Sequence, residues 1–203
     1  MQRPSTDESS FWHEPPRGYS SMIFKELALV GAFRIEPERI EDQRGFFARA
    51  WCQREFAAHG LNTAVAQCSI SFNKQQGTLR GMHYQEAPCR EGKLVRCTRG
   101  AVYDVIIDLR PGSPTVGHYV AEMLTADNHG ILYVPEGFAH GFMTLEDDTE
   151  VAYQISEFYS AEHARGVRWN DPAFGIAWPL PVSVISERDR SFPDFGVRAG
   201  EPR

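Results

Sequence analysis

The chain has 203 residues, of which 42% are hydrophobic and 24% are charged, a composition typical of a globular protein rather than of a disordered chain or a membrane protein. This length is enough for one well-buried core and too short for two domains of ordinary size. The formal charge of −6 at pH 7 argues against a nucleic-acid binder, because affinity for the phosphate backbone requires a net basic face.

The two ends of the chain differ in composition from its middle. Residues 1–22 are rich in Ser, Pro, Arg and Glu and predict a flexible leader, and the two glycines and one proline of residues 196–203 predict a tail. We expect a single domain at 23–195. The leader lacks the apolar segment of a secretory signal, and no apolar run approaches the roughly 18 residues that span a bilayer. The sequence therefore predicts a cytoplasmic protein with no membrane attachment.

Short strands separated by turn signals dominate the middle of the chain. In residues 93–109 the dipeptide Arg99-Gly100 separates two runs, and the second run alternates with a period of two, which indicates a strand with one buried face. The other periodic segments are two short helical ones at 53–59 and 161–165 and two further strands at 131–134 and 150–155. Many short strands with little helix predict an all-β sandwich or barrel.

The four cysteines predict free thiols. None of them forms a Cys-x-x-Cys pair, which is the spacing of zinc knuckles and of thioredoxin-like redox motifs. They are Cys52, Cys68, Cys89 and Cys97. In a reducing compartment such cysteines stay unpaired.

Three segments combine glycine with charged and aromatic side chains, at residues 42–47, 79–85 and 135–142. Glycine beside such residues lets the backbone turn sharply or lets a ligand approach closely. Each segment alone is a weak signal, because a single histidine in a strand is more often a hydrogen-bonded structural residue than a catalyst.

Taken together and in order, these segments resemble the dTDP-4-dehydrorhamnose 3,5-epimerase family. The resemblance covers about 150 residues, from Asp42 to Asp189. The matching strings are Arg44-Gly45-Phe46-Phe47, Leu79-Arg80-Gly81-Met82-His83-Tyr84-Gln85, Gly92-Lys93-Leu94-Val95-Arg96, Val134-Pro135-Glu136-Gly137-Phe138-Ala139-His140-Gly141-Phe142, Arg165-Gly166 with Trp169-Asn170-Asp171-Pro172, and residues 186–189.

The resemblance implies a cupin-type double-stranded β-helix (jelly-roll) barrel with a few short helices, assembled as a homodimer. It implies an enzyme that epimerises a nucleotide-diphosphate keto-deoxysugar and uses no metal and no redox cofactor. His83 matches the general base of the family, Asp189 the acid that pairs with the base, and Tyr153 the general acid that protonates the opposite face.

These residue types suit the chemistry. Epimerisation beside a ketone removes an α-proton, holds an enolate and returns a proton on the other face. An imidazole is a base at neutral pH, and a carboxylate that accepts its second N–H fixes the tautomer, provided that the fold brings Asp189 to His83. A tyrosine is neutral at pH 7 and donates a proton without competing as a base. Lys93, with the Arg80 region, is the candidate for stabilising the enolate oxygen.

Seven further residues match substrate-binding positions of the family: Arg44, Phe47, Gln67, Arg80, His140, Tyr159 and Arg188. Arg44 and Arg80 suit a diphosphate, because a guanidinium contacts phosphate oxygens bidentately. Phe47 and Tyr159 suit stacking against a ring, although plain packing is an equally good interpretation of both.

The sequence departs from the family pattern at three positions. Arg49 stands where the family has a glutamate, Ser69 where it has an asparagine, and Ala164 where it has an acid. All three positions are tied to substrate binding rather than to proton transfer. We therefore expect the chemistry to be retained, while the nucleotide (dTDP, CDP or GDP) and the sugar stay open.

Three alternatives stay open at this stage. The first is a metal-dependent cupin, because Pro135-x-Gly137-x-x-His140 resembles the second cupin motif; however, His83 is followed by Tyr84-Gln85 where the first motif supplies another histidine. The second is a non-catalytic sugar-binding cupin, which would need neither base nor acid. The third is an epimerase acting at C3 only or C5 only, or a 3,4-ketoisomerase.

Overall fold

Two facing antiparallel sheets form the body of the computed structural model, which describes residues 20–196. These residues contain fourteen strands and two short helices. The strands are β1 (Met22–Glu26), β2 (Phe33–Pro37), β3 (Arg39–Asp42), β4 (Gly45–Ala48), β5 (Gln67–Asn73), β6 (Thr78–Gln85), β7 (Lys93–Arg99), β8 (Ala101–Asp108), β9 (Tyr119–Thr125), β10 (Ile131–Val134), β11 (Phe138–Thr144), β12 (Thr149–Ile155), β13 (Ala164–Gly166) and β14 (Val184–Ile185). The helices are α1 (Gln53–Ala58) and α2 (Glu187–Arg190).

The first sheet has the strand order β1-β2-β10-β7-β12-β5, and the second has the order β13-β6-β11-β8-β9, with β14 added in parallel to β6. The remaining pair, β3 and β4, forms a separate hairpin. Both large sheets mix strands from distant parts of the chain, so each is closed by long-range pairing rather than by hairpins alone. The predicted all-β architecture is confirmed.

The main core lies between the two sheets. Val95 of β7 and Val151 of β12 meet Ile106 of β8 and Phe142 of β11 there, and all four side chains are buried. A second cluster fills the outer face of the first sheet, where Phe56 of α1 packs on the sheet. The predicted helix at 53–59 is thereby confirmed, because its buried aromatic ring holds it against the sheet.

The prediction of one buried face for the second run of residues 93–109 is wrong. In β8, Ile106 faces the main core, whereas Val105 and Ile107 are equally buried on the other face. The segment that leads to Phe174 and Trp178 covers that outer face. The strand is therefore buried on both faces, although its polar residues suggested that one face is exposed.

The predicted helix at 161–165 is also wrong. The backbone makes one turn, in which the Ala164 N–H donates to the Ser160 carbonyl at 2.9 Å, and then enters β13. β13 pairs with β6, with Arg165 opposite Tyr84. Pairing with the edge of a sheet satisfies more backbone groups than one further helical turn, and tertiary context overrides the local pattern.

The chain ends are only partly described. β1 begins at Met22, one residue before the predicted domain boundary, and residues 1–19 of the predicted leader lie outside the described residues. Residues 197–203 of the predicted tail also lie outside them. Within residues 20–196 all four cysteines are free thiols, as predicted. No helix in this part of the chain is long and apolar enough to cross a membrane.

Two glycines allow β6 and β11 to approach closely. A side-chain carbon added at Gly141 would lie 2.7 Å from the Arg80 carbonyl oxygen and 3.2 Å from the Gly81 Cα. Gly81 has φ +125, a backbone conformation that other residues rarely adopt, and its own added carbon would lie 2.6 Å from the Gly141 Cα. The register between the two strands shifts at this point, between His140 and Phe142.

We expect Gly141→Ala to lower the free energy of unfolding by about 1–3 kcal/mol, the usual cost of overpacking, because the new methyl group would meet the backbone of Arg80 and Gly81 as well as the Met82 Sδ at 2.6 Å. Gly92→Ala is the matched control, since its added carbon meets nothing closer than 3.5 Å. Urea denaturation of both variants checks this. Equal stability of the two variants would contradict the close approach.

Candidate functional site

A cavity of about 340 Å³ opens inside the barrel, between β5, β7 and β12 of one sheet and β6 and β11 of the other. Eight of the eleven predicted site residues line it: Gln67, Arg80, His83, Lys93, His140, Tyr153, Tyr159 and Arg188. They come from five strands, one loop and the helix α2, so the fold and not the sequence spacing brings them together. A ninth, Asp189, lies directly behind His83.

His83 and Asp189 form a hydrogen-bonded pair. The imidazole Nε2 lies 2.8 Å from the Asp189 Oδ1, and the other carboxylate oxygen accepts the Gly81 N–H at 3.1 Å. The Ser186 side chain caps α2 by accepting the Asp189 N–H at 3.0 Å. This bond holds the backbone of Asp189, and thereby its carboxylate, in place. Because an ionised carboxylate only accepts, Nε2 carries the proton and Nδ1 holds the lone pair that is available to a ligand.

The carboxylate of Asp189 is buried yet ionised. Burial by itself would raise its pKa, but the hydrogen bond and charge of His83 and the N–H of Gly81 lower it by more, so the pKa lies below its ordinary value. The edge of the Phe192 ring packs on the imidazole, with ring centroids 5.8 Å apart. The pair is therefore a preformed unit in which the imidazole has one orientation and one tautomer.

Tyr153 projects from β12 into the barrel and packs edge-on against His140, with ring centroids 6.0 Å apart. Burial raises the pKa of its phenol far above the ordinary value, and the charge of Asp104 raises it further, while Arg80 and the Ser71 hydroxyl act in the opposite direction. The phenol is thus fully protonated at neutral pH. It can act as a proton donor and not as a resident base.

His140 is held by Asp104, a residue that the sequence analysis missed. The His140 Nε2 lies 2.9 Å from Asp104 Oδ1 and 3.1 Å from Oδ2, and both side chains are buried. The signal was present in the sequence: Asp104 interrupts the apolar run of β8, and an acid in a buried strand needs a partner. Because Asp104 contacts Nε2, the other ring nitrogen of His140, Nδ1, points away from Asp104.

Lys93 is held in the same way, by Glu91, the second residue that the sequence analysis missed. Lys93 Nζ lies 2.8 Å from Glu91 Oε1, and both side chains are almost buried. Gln85 donates to the other Glu91 oxygen at 3.1 Å, while its own oxygen accepts the Ser160 N–H at 2.6 Å. This network connects the ammonium group to the loop that carries Tyr159.

The cavity carries a net positive charge. Its charged lining consists of four cations and one acid: Arg80, Lys93, Arg165, Arg188 and Glu91. Arg80 is fixed by donation from Nε to Asn73 Oδ1 at 2.6 Å, and Arg188 lies over the Phe192 ring at 5.8 Å. In a chain with a formal charge of −6, this concentration of cations indicates an anionic ligand.

Arg44 and Phe47 do not lie at this cavity in the same chain. They belong to the separate hairpin β3–β4, where Arg44 pairs with its own neighbour Asp42, Nε to Oδ2 at 3.1 Å. The Arg44 side chain is 89% exposed, and Phe47 is 65% exposed. Tyr159, by contrast, lies at the rim of the cavity, where its N–H donates to Gln67 Oε1 at 2.7 Å.

Two of the three departures from the family pattern face the cavity, namely Ser69 and Ala164. The third, Arg49, forms a salt bridge with Glu55 of α1 at 3.2 Å, outside the cavity lining. Among residues 20–196, no group of three or more His, Cys, Asp or Glu side chains is arranged to hold a metal ion.

Comparison with known proteins places this geometry in context. A sequence profile of the dTDP-4-dehydrorhamnose 3,5-epimerase family matches residues 26–196. The dTDP-4-dehydrorhamnose 3,5-epimerase of Sinorhizobium fredii is 45% identical over 175 residues, which are 86% of this chain and 90% of the relative. The solved structure of the Bacillus anthracis enzyme, with TDP and PPi bound, is 40% identical with a TM-score of 0.83 and covers 86% of this chain and 99% of its own.

A further solved structure, ChmJ from Streptomyces bikiniensis, is a 3'-monoepimerase in complex with dTDP-quinovose. It is 34% identical with a TM-score of 0.76, and the match covers 83% of this chain and 85% of ChmJ. The likeness to these epimerase structures confirms the predicted cupin-type barrel.

We expect Asp189→Asn to remove an acid-sensitive part of the stability. Because the folded-state pKa of Asp189 lies below the unfolded value of about 3.9, its stabilisation is present above that pH and is lost as the pH falls through the folded-state pKa. The difference in unfolding free energy between wild type and variant should therefore shrink below about pH 4. Urea denaturation from pH 6 to pH 3 measures it, with the exposed Asp127→Asn as control. A difference that stays constant with pH would contradict the pairing.

Proposed function

The chain belongs to the dTDP-4-dehydrorhamnose 3,5-epimerase family, and we propose that its cavity epimerises a dTDP-linked 4-keto-6-deoxyhexose in deoxysugar biosynthesis. The observation that carries this proposal is the oriented His83–Asp189 pair in a net-positive cavity that also holds a protonated tyrosine. A base, a neutral proton donor and fixed positive charge are the three groups that α-epimerisation of an anionic keto-sugar requires.

The reaction begins with removal of the proton next to the C4 ketone by His83 Nδ1. The C–H electron pair moves into the ketone, giving an enolate, and the resulting imidazolium is stabilised by the Asp189 carboxylate. Lys93 is the cation available to the enolate oxygen, and Glu91 holds its ammonium group in place. No electron leaves the substrate, so the chemistry needs no redox partner.

Tyr153 completes the inversion by donating its hydroxyl proton to the opposite face of the carbanion carbon. The transient phenolate regains a proton from solvent as His83 loses one, so the net reaction is an isomerisation. The raised pKa of Tyr153 supports this role in one respect: the phenol is protonated at rest, so the proton is in place when the enolate forms. Repetition at the second α-carbon with the same groups gives the 3,5-epimer.

The nucleotide diphosphate is bound by the cations of the cavity. Arg80 and Arg188 supply guanidinium groups for phosphate oxygens, with Arg80 oriented by Asn73. The ring of Tyr159, 60% exposed at the rim, is a stacking surface for the nucleobase. The relative and the two solved structures described above name dTDP or TDP, which supports dTDP over CDP or GDP. We place the enzyme in the cytoplasm, where nucleotide sugars are made.

We also propose a homodimer in which each hairpin β3–β4 supplies Arg44 and Phe47 to the cavity of its partner. Both residues match substrate-binding positions, yet they stand on an exposed hairpin away from the cavity of their own chain. The edge strand β5 lines the cavity and exposes Ile70 by 70%, which gives a second copy an apolar surface to cover. A shared site explains why the hairpin stands apart from both sheets.

Epimerisation at C3 alone is the second candidate, because the similar ChmJ is a 3'-monoepimerase. The two candidates differ in how many carbons exchange with solvent. Incubation with dTDP-4-keto-6-deoxyglucose in deuterated water decides between them: two deuterons per product indicate 3,5-epimerisation, and one indicates a monoepimerase. A parallel sample with a strong chelator tests the metal-dependent alternative, and absence of any exchange would indicate a non-catalytic sugar-binding protein.

We expect His83→Asn to abolish exchange at every exchanging carbon, lowering the rate by at least the roughly 10²- to 10⁴-fold typical of a lost general base. His118→Asn, an exposed histidine outside the cavity, is the control. Exchange retained at one carbon of the His83 variant would require a second base.

We expect Tyr153→Phe to separate exchange from inversion. The variant keeps the ring and loses only the donor, so His83 still removes and returns protons on one face, and deuterium enters with the original configuration retained. Mass spectrometry and proton NMR on one sample compare deuterium content with stereochemistry, with Tyr103→Phe as control. Inversion at the wild-type rate would remove Tyr153 from the mechanism, and loss of exchange as well would assign it to binding.

Mixed dimers test the shared site. His83→Asn keeps the hairpin and lacks the base, whereas Arg44→Ala keeps the base and lacks the hairpin arginine. If the site is shared, a mixed dimer has one complete site, so equal co-expression restores about a quarter of wild-type activity under random pairing. If Arg44 acts within its own chain, the mixture stays as inactive as either variant. Sedimentation of the wild type independently measures the dimer.

A further inference from the structure

A second, smaller cavity lies on the outer face of the first sheet, beneath the hairpin β3–β4. It has a volume of about 190 Å³. It shares no lining residue with the cavity of about 340 Å³ inside the barrel, which is called the catalytic cavity below. Arg39 of the hairpin, Arg96 of β7 and His129 of the turn before β10 converge on it. Its described lining contains no aspartate and no glutamate.

The strand β7 separates the two cavities. Lys93 and Val95 face the interior of the barrel, whereas Arg96 points outward between the buried residues Val95 and Cys97. Arg96 makes no salt bridge with any residue of the described part of the chain. One strand therefore presents a cation to each side, and the outward one is not paired with any carboxylate of residues 20–196.

The other two side chains that converge on the cavity, Arg39 and His129, are held in position by the hairpin and the turn. The Arg39 guanidinium lies 4.8 Å from the centre of the Phe46 ring and donates to the Asp127 carbonyl at 2.9 Å. His129 packs edge-on against the same ring, with centroids 5.0 Å apart, in a left-handed backbone conformation with φ 52. A non-glycine residue in this conformation is uncommon and is found where the surrounding structure holds it.

The two guanidinium groups at this cavity disfavour a further positive charge on His129. Burial lowers the pKa of His129, and the nearby Arg39 and Arg96 lower it further, while Asp127 acts in the opposite direction. Two mutually repelling guanidinium groups around one cavity, in a chain with a formal charge of −6, leave a positive potential that no acid of the cavity lining compensates. A bound anion would relieve that repulsion.

We propose that this cavity is a second oxyanion site, which binds inorganic phosphate or diphosphate between Arg39, Arg96 and His129. Guanidinium groups contact phosphate oxygens bidentately, and the imidazole supplies a further donor. The volume is below the roughly 300 Å³ at which pockets begin to enclose drug-sized ligands, so a compact anion fits and a whole nucleotide sugar does not.

The bound anion joins the hairpin to the barrel. Arg39 belongs to β3, whereas Arg96 and His129 belong to the sheet and its connecting turn, so an anion held by all three bridges two parts of the fold. The site itself does not depend on the proposed epimerase activity. Its consequence for that activity does, because the hairpin also carries Arg44 and Phe47.

Hydrogen exchange of the hairpin amides, residues 39–48, tests the site without any turnover assay. Inorganic phosphate and diphosphate should slow exchange, by roughly tenfold at ten times the dissociation constant. Chloride at the same ionic strength should not. Arg96→Gln should abolish the slowing although the substitution lies outside the hairpin, and Arg39→Gln should do the same, which covers the case in which the first variant fails to fold.

Arg80→Gln is the matched control, because it removes a guanidinium from the catalytic cavity only. It should leave the phosphate effect intact. Slowing that persists in Arg96→Gln, or that chloride reproduces, would overturn the proposal. An arm with dTDP separates the two sources of phosphate: slowing by dTDP alone, lost in Arg80→Gln and kept in Arg96→Gln, would assign the effect to the catalytic cavity and overturn it as well.

Discussion

A carboxylate with little or no exposure stands behind three of the polar groups that line the cavity. Asp189 holds His83, Asp104 holds His140, and Glu91 holds Lys93, at 2.8 to 2.9 Å in each case. Desolvating an acid is costly, so each carboxylate is stable only while its partner remains in place, and each partner is thereby restricted to one orientation. Neighbouring groups hold these carboxylates in place. The Gly81 N–H donates to Asp189, and Ser186 caps the helix that carries Asp189. The Gln85 side-chain amide donates to Glu91.

Eight of the residues that line the cavity could be predicted from the sequence, whereas of the three carboxylates behind them only Asp189 was predicted, from the family resemblance. His83 and Lys93 stand in strings dense with glycine and charge, so their motif shows them. Asp104 appears as one polar position in an alternating strand, and only the depth of β8 shows that this face is buried too. The prediction of a helix at 161–165 was wrong for a related reason: local periodicity does not show that the edge of β6 is available for pairing. Arg44 and Phe47 show a third limit: a motif identifies a binding residue without stating which cavity it serves.

In this chain, positive charges are separated between the two faces of one strand rather than between different segments of the sequence. The net charge is negative, yet β7 carries Lys93 into one cavity and Arg96 into another. The surroundings of these two cations differ. Lys93 is neutralised by a carboxylate and oriented, which suits a group that must meet one developing charge. Arg96 lacks such a partner within the described residues, which suits a group that attracts an ion from solution. The period of two in a strand makes this separation possible without a second domain.

The pairing of His83 with Asp189 joins positions 106 residues apart in the chain. During synthesis the imidazole therefore leaves the ribosome long before its carboxylate exists, and the barrel strands can close around a histidine that has neither fixed tautomer nor fixed orientation. Only the docking of α2, which carries Asp189, gives the imidazole a fixed tautomer and a fixed orientation. A chain that ended before α2 would thus present the cavity without an oriented His83, so the proposed ability to enolise a keto-sugar depends on the docking of this helix.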